Sequence, residues 1–244
     1  TVTMMVASRD KRLRTPKGPE LCCQRKVPQY KPLDSVDLAL FFMLIVVEGV
    51  SATGKTTWAS QHAPAVVGET IAPGPKRGAS DDEIGVYWAD RNAERWAQGL
   101  GLETAYSTAC FDCDPLKIHY TWTLSQVGRD TRNEWKASVK AARRNFVDRR
   151  IGFADQIVFL EPAVEVIRQQ KENDAVRSRF NFELHLSLYE PLRRWYATLE
   201  ALAPGRVVFS GHQTDQVPGA FPRVDRYNVE LFDAFIAAVD GCHG

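Results

Sequence analysis

From about Leu40 onward the chain alternates between two hydrophobic rhythms. Leu40 to Val47 is an unbroken apolar run rich in β-formers, the pattern of a central parallel strand covered on both faces. A helix is predicted from Lys55 to Gln61, stopped by Pro64, and Val66-Val67 forms a short second strand ending at Glu69. A Gly/Pro-rich loop, Ala72 to Ala79, leads to Ser80, which with Glu83 has capping-box spacing and opens a helix expected to end near Gly99. Ala105 to Phe111 reads as a third strand closing on Asp112 and Asp114. Thr131 and Glu134 repeat the capping-box spacing before a helix with the apolar stripe Trp135, Val139, Ala142 and Phe146.

Ile157 to Leu160 is a fourth strand, and Ala163 to about Arg179 a strongly charged helix. Phe182 to Leu202 carries the stripe Leu184, Leu188, Leu192, Trp195 and Leu199, expected as one long helix kinked at Pro191. Arg206 to Ser210 is a fifth strand, and Val229 to Val239 a closing helix capped by Asn228. Strands separated by helices predict an α/β class: three layers around a five-stranded parallel sheet with right-handed crossovers.

The turn after the first strand carries the chemistry. Gly49-Val50-Ser51-Ala52-Thr53-Gly54-Lys55-Thr56 fits G-x-x-x-x-G-K-[ST] at every fixed position, followed by Thr57. The two glycines let successive backbone N–H groups face a phosphate, and the next helix adds its positive end. Lys55 suits the β- and γ-phosphates of ATP, and the Thr56 hydroxyl suits Mg²⁺. The fold expected is therefore the three-layer P-loop NTPase fold.

Leu44 to Thr57, with Glu48 just before the first glycine, resembles the opening of thymidylate kinases and deoxynucleoside kinases. Arg168 and the stretch Arg177-Ser-Arg179-Phe-Asn-Phe-Glu183, followed by a long helix with Tyr196, are similar to their arginine-bearing lid. The resemblance implies ATP, Mg²⁺ and a small-molecule acceptor, most naturally a nucleoside or nucleotide. It also implies that Glu69 stands where deoxynucleoside kinases carry their general base. The chain departs from those families after the third strand, where Phe111-Asp112-Cys113-Asp114-Pro115 lacks their acid–arginine pair. Gluconate-type kinases share the Gly-Val-Ser opening, but their acceptor motif is not visible.

Ligands of such sheets gather at the carboxyl ends of the strands. Glu48, Glu69, Asp112 and Asp114 are predicted there. Asp112 is the candidate for Mg²⁺ or its waters, and Asp114-Pro115 suits a helix N-cap. Glu48 suits either the acceptor hydroxyl or a brace for the loop. Arg177 and Arg179 are the candidate lid cations, and Arg143 or Arg144 the acceptor-side ones. Trp88, Trp96 and Trp122 suit either the wall of an acceptor pocket or the core, and His119-Tyr120 either core or surface.

The sequence has 244 residues and a formal net charge of +1, which offers no case for nucleic acid or a membrane surface. Residues 1–38 carry eight Lys/Arg against four Asp/Glu, so the basic excess sits in that arm and the rest is slightly acidic. With four prolines and few large apolar groups, residues 1–38 are expected to be a disordered basic arm outside a kinase domain of residues 39–244. A transit peptide and translation from upstream of Met43 are the other readings of that arm. The longest apolar run, Leu38 to Val47, has ten residues, about half a bilayer span. Five cysteines without framework spacing favour a reducing cytoplasm. Cys110-x-x-Cys113 reads better as packed thiols than as half of a metal site. Monomer and homodimer both stay open. The alternatives to a nucleoside or nucleotide kinase are a kinase of another metabolite or an antibiotic, a P-loop ATPase module gripping a protein partner, and a nucleic-acid end kinase.

Overall fold

The computed structural model describes residues 42–69, 73–174, 181–210 and 225–241, all within the unit Asp34–Gly244. Its elements in chain order are β1 (Met43–Glu48), α1 (Lys55–His62), β2 (Val66–Val67), α2 (Asp81–Tyr106), β3 (Thr108–Asp112), α3 (His119–Gln126) and α4 (Arg132–Val147). They continue as β4 (Gln156–Leu160), α5 (Val164–Asn173), α6 (Phe182–Ser187), α7 (Tyr189–Leu202), β5 (Val207–Ser210) and α8 (Val229–Gly241). The expectations for the arm 1–38 and for Arg177 and Arg179 fall outside the described residues.

The sheet has five strands in the order β2-β3-β1-β4-β5, every pair parallel. β1 is central because both its faces are apolar. Leu44 and Val46 enter a large aromatic core with Trp96, Phe111, Phe146 and Trp195, while Ile45 and Val47 meet Trp58, Cys110, Val158 and Leu160 on the other face. A period of two with both sets buried is what makes the run unbroken in sequence. The register sets Val47 beside Asp112 and Glu48 beside Phe159, so the strand-end acids share one edge of the sheet.

Four expectations are corrected, the first being the third strand, which starts at Thr108 rather than Ala105. Helix α2 runs through Gly99 to Tyr106 and ends on Ser107 in the left-handed region. Gly99 is a packing glycine: a Cβ there would lie 2.1 Å from Phe111 Cζ, and Phe111 stacks on Trp96 with centroids 5.7 Å apart. The Ser80–Glu83 capping box forms, but the Thr131 one does not. The Thr131 hydroxyl donates instead to Thr121 O at 2.8 Å, tying α4 to α3. The predicted long helix is two, α6 and α7, parted at Leu188 rather than kinked at Pro191. Proline's ring clashes with the carbonyl four residues earlier, that of Ser187, so the break falls at that place and Pro191 sits in the first turn of α7. Trp96 and Trp122 are core residues, 1% and 2% exposed, whereas Trp88 is 39% exposed.

Candidate functional site

The turn after β1 forms a cradle. Gly49 has φ +149°, and a Cβ there would lie 2.8 Å from Thr53 Oγ1 and 2.9 Å from Leu160 O, so only glycine fits. Gly54 caps α1 at φ 89°. Glu48 braces the loop from behind: Oε1 accepts the Gly49 N–H at 2.9 Å and Oε2 the Asp114 N–H at 2.9 Å. Lys55 Nζ lies inside the cradle, donating to Gly49 O at 2.6 Å and Val50 O at 3.0 Å. Thr56 Oγ1 donates to Asp112 Oδ2 at 2.6 Å, joining the start of α1 to the end of β3. A hydroxyl and a carboxylate in contact beside a phosphate cradle form a hard oxygen set that fits Mg²⁺.

Every residue from Glu48 to Thr57 lines a cavity of about 560 Å³, together with Glu69, Asp112, Cys113, Lys117 and Tyr120. Sequence reasoning missed Lys117. It sits in the turn after β3 and is bonded to the carboxylate of Glu69. Burial pushes the Glu69 carboxyl up, but Lys117, Lys55 and Arg95 together hold it below the ordinary glutamate range. Glu69 is therefore ionised at neutral pH, and Lys117, which burial would lower but which neighbouring Cys113 and Glu69 raise, stays charged.

Asp114 does not cap a helix. Its Oδ1 accepts the Leu116 N–H at 2.8 Å and its Oδ2 accepts the Tyr196 hydroxyl at 3.1 Å, while α3 begins only at His119. Burial pushes its pKa up to about 6, helped by the nearby Glu48 charge. His119 is buried 3.9 Å from Glu48, and burial lowers its pKa, so it is a neutral imidazole in the wall of the cleft. Cys110 and Cys113 are buried free thiols, Cys110 pushed up to about 12 by burial. Among the described residues no group of three His, Cys, Asp or Glu side chains converges on a metal-sized position.

A second, more enclosed cavity of about 910 Å³ adjoins the first, and the two share Glu69, Lys117, Tyr120 and His185. Helices α2, α3 and α4 and the turn before α3 supply its walls, which include Ile84, Trp88, Leu116 and Ile118. Arg95 reaches it from α2, with only 6% of its surface exposed. Its Nη2 donates to Asp112 O at 2.9 Å and Cys113 O at 3.2 Å. The one sequence signal for Arg95 was a charge four residues before the packing glycine Gly99, on the inward stripe of α2. Neither Arg143 nor Arg144 lines either cavity: Arg143 holds Asp233 of α8 through two bonds of 2.8 Å at the surface. Arg168 is likewise an exposed partner of Glu183.

No protein-family model and no curated protein matches the chain. Among solved structures, a deoxyadenosine kinase from M. mycoides with products dCMP and a flexible dCDP bound is 11% identical at a TM-score of 0.49, over 82% of this chain and all of that one. Thymidylate kinase from Candida albicans is 14% identical at 0.46, over 81% of this chain and 92% of that one. A NadR protein in complex with NR is 18% identical at 0.42, over 84% of this chain and 54% of that one. The strand order, the all-parallel sheet and the glycine-lined cradle after its central strand by themselves define a three-layer α/β P-loop domain.

Proposed function

We propose that this protein is a P-loop phosphotransferase that moves the γ-phosphoryl of ATP, with Mg²⁺, to an oxygen of a small molecule, a nucleoside or nucleotide. The observation that carries the reading is the pair of adjoining cavities. A phosphate cradle alone serves motors and switches equally well, but here it opens at Glu69 and Lys117 onto a separate, largely apolar chamber of about 910 Å³. That chamber is within the range of small-molecule sites and is built from the core helices rather than from a surface face.

Bound magnesium would neutralise phosphate charge, and Thr56 with Asp112 would hold it. The backbone amides of Lys55, Thr56 and Thr57 in the first turn of α1 and the Lys55 ammonium bind and orient the triphosphate, and their charge favours the more dispersed negative charge of the transferring group. In the transfer, a bond forms between the acceptor oxygen and the γ-phosphorus while the bond to the β-phosphate oxygen breaks. Glu69, ionised at the neck between the cavities, is proposed as the group that hydrogen-bonds the acceptor hydroxyl and receives its proton. Arg177 and Arg179 are proposed as the cations that approach the phosphates on lid closure. The buried free thiols suit a cytoplasmic setting, and no described helix is long and apolar enough to cross a membrane.

The test is acceptor-dependent ADP release against pools of nucleosides, nucleotides and other hydroxylated metabolites. One pool should stimulate turnover well above the rate in water, and Lys55→Ala should lower that rate by about a hundredfold or more. Turnover that no small molecule stimulates, or a fully active Lys55→Ala, would remove the reading.

A further inference from the structure

Sequence alone finds no arginine directly after the third strand to hold the reacting end of an acceptor. The fold brings one there from elsewhere. We propose that Arg95 of α2, which lines the larger cavity, binds the reacting end of the acceptor there, a proposal that rests on the phosphotransfer reading of the same cleft.

Three observations carry it. First, the Arg95 guanidinium is buried, yet its hydrogen bonds go to two main-chain carbonyls, Asp112 O and Cys113 O, and its Nε–H is buried with no hydrogen-bond partner. A buried cation without a bonded carboxylate and with an unpartnered donor is costly, and an oxygen ligand in the cavity that Arg95 lines would offset that cost. Second, the other cations of the larger cavity are already matched: Lys117 is tied to Glu69, and Arg91 pairs with Glu94 at 2.9 Å on the surface. Third, the carbonyl that Arg95 grips belongs to Asp112, the residue whose carboxylate accepts from Thr56. One short stretch of chain thus fixes the acceptor-side cation relative to the phosphate cradle, which is what phosphoryl transfer requires of its scaffold.

The chemistry recognised is an oxygen-bearing end presenting lone pairs to a planar, multi-donor cation. An alcohol or a phosphate monoester could supply it. Arg95 is the candidate contact residue, and Lys117 positions Glu69 beside it.

The experiment measures ADP release by the full chain with MgATP and, separately, a pool of nucleosides and a pool of nucleoside 5′-monophosphates. The stimulating pool identifies alcohol or phosphate as the oxygen source. Arg95→Gln and Arg95→Lys are then compared with the unaltered protein, with folding checked by thermal melting and cradle integrity by binding of a fluorescent ATP analogue. The expected result is an acceptor KM raised about tenfold to a hundredfold in Arg95→Gln, less in Arg95→Lys, with analogue affinity within about twofold. Should Arg95→Gln fail to fold, Arg95→Lys carries the comparison, because lysine keeps the buried positive charge. An unchanged acceptor KM in a folded variant, or a parallel loss of analogue affinity, makes Arg95 a mere prop for β3 and overturns the proposal. If neither pool stimulates the unaltered protein, the nucleoside or nucleotide reading itself fails and the Arg95 proposal falls with it.

Discussion

Asp114 should give the protein a pH-dependent weakness that a single substitution exposes. Its carboxyl is buried behind the cradle, with a pKa pushed up from 3.8 to about 6, chiefly by burial. Between those values the folded chain holds a proton that the unfolded chain has released. Stability therefore falls as pH rises through that window, the opposite of the usual trend for a paired carboxylate. A difference of about two units corresponds to roughly 3 kcal/mol, fully lost above pH 6. Asp114→Asn keeps the acceptor for the Leu116 N–H and can still bond the Tyr196 hydroxyl, but cannot ionise. The assay is urea denaturation of both proteins from pH 4 to pH 7. The stability of the original minus that of the variant should decline by roughly 2 to 2.5 kcal/mol across the range, the rest being already lost at pH 4. Taking the difference cancels Glu69, Glu83 and Asp233, whose lowered pKa values tilt the curve the other way. A difference that is flat, or that grows with pH, would show that the buried acid is already ionised at pH 4 and refute the account.

Two further substitutions test the packing and the capping. Gly99→Ala should destabilise by about 2 kcal/mol in thermal or urea melts, because the Phe111 ring has nowhere to move, even though alanine favours a helix by up to about 1 kcal/mol. A neutral or stabilising result would mean that α2 can shift off the sheet. Ser80→Ala removes the formed capping box and should cost about 1 kcal/mol, read from the urea midpoint, with no change in nucleotide binding.

The sequence by itself determined the parts whose physics is local. The strand alternation and the apolar run before Gly49 were legible because burial on both faces leaves a continuous signature. The cradle was legible because a loop that wraps a phosphate demands glycine at fixed places, seen in the +149° φ and the 2.8 Å approach at Gly49. Glu69 and Asp112 were readable as strand-end acids because they follow apolar runs, at the carboxyl ends where ligands of such sheets gather.

What the tertiary structure alone decided concerns contacts between distant segments. Gly99 looks like a helix end until Phe111 is found against it, and Thr131 looks like a cap until Thr121 claims its hydroxyl. The break at Leu188 lies three residues before the proline that causes it, since the clash is with the carbonyl a turn earlier. Arg143 was drawn to the surface by Asp233, 90 residues away in sequence. Lys117 and Arg95 came to the cleft from a turn and from the buried face of a helix. Periodicity reports which face of an element is buried; it carries no information on which side chain of another element waits there. The cradle was therefore written in one octapeptide, while the second cavity was assembled only by folding.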